Sequence, residues 1–219
     1  MKLVLSISLS LALVTVLSAS VLPTEYVANT YVPGSNFGAD TYTYQPNPVD
    51  MYDLDHHKYY TWGINMDNIT GFDAPYIVGA ELVFKNIKNW NTASNVLYVH
   101  LLDSASIGLT TYNDNQGGGD NFASWSETHV MVGQWENNPA GTAVDLVFHF
   151  DQDLKDNLND YFNNDKVIGF GLDPDCHYYN DGITFAVDVM DMAHEPEPAT
   201  LCLFGLVGAI VARKRKQII

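Results

Sequence analysis

Arginine is missing from the first 212 residues of this 219-residue chain, and lysine is scarce. Ten basic residues stand against 26 acidic ones. A polyanion is repelled by a surface of net charge −16, so nucleic acid is excluded as a partner. Cysteine is nearly absent too. Of the two, Cys176 and Cys202, the second lies in an apolar run near the C-terminus, so no intramolecular disulfide is expected once that run is removed. The chain does not need one: the roughly 175 residues between the terminal segments can bury about two-thirds of their unfolded surface. Nor is hydrophobicity low. With 47% apolar and 12% aromatic residues, wholesale disorder is excluded.

Long apolar runs are confined to the two ends. Met1-Lys2 precedes an uncharged stretch from Leu3 to Leu17 that closes on Ser18-Ala19-Ser20, the pattern of a secretory signal peptide over residues 1–20 and a substrate for signal peptidase. At the other end, Pro196-Glu197-Pro198 precedes an apolar stretch from Ala199 to Ala212 and then Arg213-Lys214-Arg215-Lys216. Two prolines one residue apart hold the backbone extended, as a protease requires. The apolar stretch is short for a permanent span but long enough to enter the inner membrane transiently as a helix, with the basic tetrad on the cytoplasmic side.

This order of triad, glycine-containing apolar helix and basic cluster, within residues 193–219, closely resembles the PEP-CTERM sorting signal. The resemblance implies recognition by an exosortase in a Gram-negative bacterium, cleavage near the triad, and delivery to the cell surface or extracellular matrix. Such a tail is also labelled an ice-binding-protein C-terminal domain; being an address, it implies nothing about ice. Without the two ends, residues 21–195 keep five lysines against 25 acidic residues, a net of −20. Such a surface repels itself, stays soluble and invites cations, calcium above all outside the cell.

Residues 21–50, rich in Pro, Gly, Asn, Thr and Tyr, read as an extended leader with turns and room for one edge strand. The domain proper is expected over 51–192. There, runs of β-branched and aromatic residues recur between Gly, Asn and Asp: Lys58 to Asn65, Ile77 to Ile87, Val96 to Leu102, Thr128 to Gln134, Ala143 to Phe150, Lys166 to Leu172 and Ile183 to Met190. Their spacing predicts a mainly β fold, an antiparallel β-sandwich. Leu154, Leu158, Tyr161 and Phe162 break the two-residue period and predict one amphipathic helix, capped by Asp151 or Asp153. The body resembles the jelly-roll sandwiches of PEP-CTERM cargo and of carbohydrate-binding modules. The segments that carry this are Asp53 to Gly63, Val83 to Trp90 and Gly169 to Gly182. The resemblance implies a fold and no mechanism.

Asp173, Asp175, Asn180 and Asp181 crowd ten residues between two predicted strands and offer oxygen ligands for a structural calcium, although Asp and Asn also serve long turns by bonding their own backbone. Asp114, Asn115 and Asp120, flanking a triple glycine, form a second such group. Trp125 and Trp135, near polar loops, are the candidate platform on which a sugar ring could stack, whereas Trp62 falls inside a strand and reads as core. Cys176 and His177 are adjacent, so on an extended chain they face opposite ways and cannot form a catalytic dyad. His56, His57, His100, His129, His149 and His177 show no H-x-x-x-H or Cys-pair spacing, which gives no sequence signal for zinc. The sequon Asn68-Ile69-Thr70 is expected to be idle in a bacterium. These features together predict an exported, non-catalytic protein with a structural or adhesive role. The alternatives are a binder of extracellular polysaccharide and, with no particular carboxylate pair favoured, a secreted hydrolase.

Overall fold

The computed structural model describes residues 39–46, 50–91, 93–115, 118–136 and 141–192. The signal peptide, the leader up to residue 38 and the sorting tail lie outside the described residues. Eleven strands form among the described residues: β1 (Asp40–Tyr44), β2 (Asp53–Leu54), β3 (Lys58–Asn65), β4 (Pro75–Asn89), β5 (Val96–Leu102), β6 (Gly108–Asn113), β7 (His129–Glu136), β8 (Val144–His149), β9 (Val167–Pro174), β10 (Tyr178–Tyr179) and β11 (Ile183–Asp191). One helix, α1 (Gln152–Asp165), links β8 to β9. Seven strands coincide with the predicted runs to within two residues at each end. The leader supplies β1, which pairs antiparallel with β11 from Asp40↔Val189 to Tyr44↔Phe185, so the sandwich begins at least ten residues before the expected boundary.

The first sheet is ordered β1-β11-β4-β8, and the short β10 and β2 extend it beside the far end of β4. The second is ordered β6-β3-β9-β5-β7. With the two-residue β2 and β10 and the edge strand β6 set aside, the chain passes from β1 across to β3, back to β4, across to β5 and its neighbour β7, back to β8, across to β9 and back to β11. These are two interleaved Greek keys of eight strands, the jelly roll.

Alternation decides which side chains meet between the sheets. Trp62 and Ile64 of β3, Leu97, Val99 and Leu101 of β5, and Ile168, Phe170 and Leu172 of β9 face Ile77, Leu82 and Phe84 of β4 and Phe185, Val187 and Val189 of β11, all of them buried. Phe170 and Phe185 meet edge to face across the sheets at 4.8 Å between ring centres, with Phe150 5.8 Å from Phe185. The predicted helix is present. The Asp151 side chain accepts the Leu154 N–H at its start, and Leu158, Tyr161 and Phe162 are buried. Lys166 ends it in the left-handed region (φ 63°), with its ammonium 3.6 Å from the centre of the Phe162 ring. Asn159 of the helix accepts from Ile77 N and donates to Ile77 O, closing a gap in the β4 backbone where the register with β11 slips.

The outer face of the second sheet is covered as well. Gly63, Gly169 and Gly171 leave room there for the loops that follow β5 and β6. A Cβ on Gly171 would stand 2.6 Å from two ring atoms of Phe122, which is itself fully buried. Gly171→Ala must therefore push out a whole phenyl ring, and we expect it to cost about 1–3 kcal/mol. Melting would fall by roughly 2–4 °C per kcal/mol, read from a thermal unfolding curve. An unchanged melting temperature would mean that the Phe122 loop yields freely.

Candidate functional site

The far end of β4 carries exposed aromatic and charged side chains. Leu82 and Phe84 are buried, and strict alternation would send Trp90 into the core after them. Instead, the register with β8 shifts between Phe84 and Ile87, and Asn86 takes a left-handed conformation (φ 46°) that asparagine tolerates better than most residues. The next inward residues are then Ile87 and Asn89, so Lys88 and Trp90 turn outward. Acidic side chains fix this bulge. Asp145 accepts from Asn86 N at 3.0 Å and pairs with Lys85 Nζ at 2.7 Å, while Asn86 Nδ2 donates to Asp181 at 2.6 Å.

Beyond the bulge lies a small three-stranded sheet. Tyr178 pairs with Asn89 on one side and Leu54 on the other, and all three are fully buried. The alternate set faces solvent: Lys88 of β4 and Trp90 just after it, His177 and Tyr179 around β10, and Asp53 with Asp55 around β2. Trp90 is 60% exposed and Tyr179 38%. Their rings flank His177, at 5.9 Å and 6.3 Å between centres. His177 Nδ1 donates to Asp53 Oδ1 at 2.9 Å, a direction fixed because a carboxylate only accepts. A depression of about 480 Å³ adjoins the platform, lined by Asn86, Lys88, Tyr179, Asn180 and Asp181. In the turn from β2 to β3, Asp55 accepts from His57 N, and Asp55, His56 and His57 bring three donor atoms within 4.8 Å of one another.

The four donors expected in one calcium loop work in two places. Asp173 accepts from Asn121 N and Nδ2, and Asp175 from Gly119 N, so both serve the loop of the second candidate group. Asn180 instead donates to Met51 O and accepts from Gly182 N, and Asp181 holds the β4 bulge. Of that second group, Asp120 accepts from Phe122 N and from buried His100, and Asp114 lies close enough to Asp173 to act on its charge. Asp173 Oδ1 is buried without a hydrogen-bond partner among the described residues.

The two tryptophans expected to form one platform lie on opposite faces of the second sheet. Trp125 packs outside it against Tyr59, Tyr112 and Phe122, whereas Trp135 packs inward against Tyr178. Trp90, which the sequence offered beside the other three tryptophans without favouring it, is the exposed one. Its signal was the three-residue step from Phe84 to Ile87 across Lys85 and Asn86. Cys176 is buried, as its alternation with His177 requires, and burial raises its thiol pKa, so it is not an activated nucleophile.

The pattern of the PEP-CTERM protein-sorting motif matches residues 196–216. The match takes in the Pro196-Glu197-Pro198 triad, the apolar stretch and the Arg213 to Lys216 cluster. The chain therefore carries the signal of an exported protein handed to an exosortase for sorting to the surface. No curated protein matches the chain.

On the outer face of the first sheet, Glu81 and Asp188 are both buried, and Thr41 Oγ1 donates to Asp188. Burial, then the Asp188 charge, raises Glu81 to a pKa of about 7. Asp173 rises to about 6 through burial, which outweighs its hydrogen bonds from Asn121, with Asp114 and Asp120 adding to the rise. Both carboxyls hold protons in the fold that the unfolded chain has released, so stability falls as pH rises through these values. His100, lowered by burial, has the opposite sign, gaining stability up to its ordinary 6.5. Above that pH the Glu81 contribution is the largest of the three. Titration of Glu81 should lower melting by about 1–3 °C between pH 6.5 and 7.5, and Glu81→Gln should flatten that slope. A slope that is the same in both proteins would refute the assignment.

Proposed function

We propose that this is a non-catalytic adhesive protein of the cell surface or extracellular matrix, whose jelly roll holds neutral polysaccharide on the Trp90–His177–Tyr179 platform. The observation that carries this reading is the exposure of Trp90. Trp62 is buried and Trp125 and Trp135 are half-buried, while Trp90 stands 60% exposed just past the end of β4, in ring contact with His177, which in turn meets the exposed Tyr179. An aromatic face covers the C–H face of a pyranose. The polar groups of the adjoining depression, Asn86, Lys88, Asn180 and Asp181, supply donors and acceptors for its hydroxyls. A body of net −20 disfavours polyanionic glycans, hence the neutral class.

Affinity electrophoresis of the full chain through gels containing neutral polysaccharides tests the reading. Retardation by at least one, weakened about tenfold by Trp90→Ala and unchanged by Trp125→Phe, is expected. Free migration in every gel, or retardation indifferent to Trp90, would leave a purely structural role. The sorting step has its own test: mass spectrometry of surface-exposed protein should find nothing after about Pro198. Recovery of an intact Arg213 to Lys216 tail on surface protein would refute cleavage.

A further inference from the structure

We propose that Asp55, His56, His57 and His177 form a binding site for a divalent transition metal of the zinc class. One carboxylate oxygen is its centre. Asp55 Oδ1 lies 3.2 Å from His57 Nδ1, 3.6 Å from His56 Nδ1 and 3.6 Å from His177 Nε2. Ligand atoms about 2.0–2.1 Å from zinc at tetrahedral angles stand roughly 3.3–3.4 Å apart; the Asp55, His56 and His57 donors lie within 4.8 Å of one another, and the His177 ring has to turn further in from its 3.6 Å approach to the Asp55 oxygen. Three imidazole nitrogens and one carboxylate oxygen are a donor set that suits zinc and its neighbours and does not suit calcium or magnesium.

Two further observations point the donors at a cation. His56 Nδ1 is inaccessible to solvent and has no hydrogen-bond partner among the described residues, although it faces the Asp55 carboxylate. A metal in that gap would satisfy both atoms. His177 Nδ1 donates to Asp53 Oδ1, which leaves the lone pair on Nε2 and turns it toward Asp55. A carboxylate that orients and polarises a histidine from behind is the usual support of a metal-bound imidazole. The site joins the β2–β3 turn to the residue before β10, so a bound metal would staple the outer strand of the three-stranded extension. The proposal does not depend on polysaccharide binding.

The test titrates the untagged full chain, stripped with a chelator, with Zn²⁺ against a chromophoric competitor and with Co²⁺ as a spectroscopic probe. One equivalent should bind, with the intense visible absorption of four-coordinate cobalt. His57→Ala, at a largely exposed side chain, and His177→Gln should each lower zinc affinity at least tenfold. Asp53→Asn should lower it by about 10–100-fold while keeping the cobalt spectrum. His100→Gln, outside the cluster, should change nothing. Zinc should raise the melting temperature of the parent and not of a His56→Ala/His57→Ala double variant. No stoichiometric binding, or full affinity retained by the double variant or by His177→Gln when their melting curves show a folded protein, would overturn the site.

Discussion

The left-handed turn of one residue, Asn86, decides what this end of the sandwich shows to solvent. β4 is the longest strand and pairs with β8, β10 and β11, so any change in its phase is passed on to its neighbours. Before the bulge its inward residues are Leu82 and Phe84; after it they are Ile87 and Asn89. The change of phase buries Asn89 beside Tyr178 and Leu54, and it exposes Lys88 and Trp90. A bulge costs a ladder bond and invites slippage. Here Asp145 and Asp181 grip Asn86 from two neighbouring segments, and Lys85 exchanges backbone bonds with Asp181 and Gly182. The irregularity under the platform is thus held by hydrogen bonds from both sides.

The same use of carboxylates runs through the molecule. Asp55, Asp120, Asp145, Asp151, Asp165, Asp173, Asp175 and Asp191 each accept at least one backbone N–H at a turn, cap or strand end. An excess of aspartate that reads in the sequence as an invitation to cations is therefore also the means by which a loop-rich sandwich satisfies its unpaired amides. Burial adds a consequence. Asp173 and Glu81, withdrawn from water beside other acids, keep protons at pH values where free carboxylates have lost them.

Strand existence was legible because burial between two sheets imposes a two-residue period, which Ile183 to Met190 display without interruption. The helix was legible for the corresponding reason at Leu154, Leu158, Tyr161 and Phe162. β6, with its polar Thr-Thr centre, and the two-residue β2 and β10 carry too little apolar pattern to announce themselves. The site depends on relations that no local spacing encodes. His177 reaches Asp53 and Asp55, more than 120 residues before it, only because β10 lies between β4 and β2. A search for paired histidines four residues apart is blind to such an arrangement, since it assumes a helix where the fold supplies an edge of sheet.

Charge ties the platform to the destination that the tail encodes. Residues 21–195 hold five lysines, and Lys88 is one of them, placed beside Tyr179 in the β4–β10 pairing. Elsewhere the acidic excess keeps copies of the protein apart and repels charged polymers, with a reach of about 8–10 Å at ordinary salt. Adhesion to an anionic matrix over a broad surface is thus opposed, and attraction has to be short-ranged and local. Aromatic faces act at van der Waals distance and ignore net charge, which makes Trp90 and Tyr179 the kind of contact that such a body can use. His56, His57 and His177 concentrate at the same end, so the proposed metal site lies beside the proposed platform. A protein released to the surface by cleavage loses both arginines and two lysines with its tail. What remains carries five lysines, and one of them, Lys88, lies in the β2–β10–β4 extension.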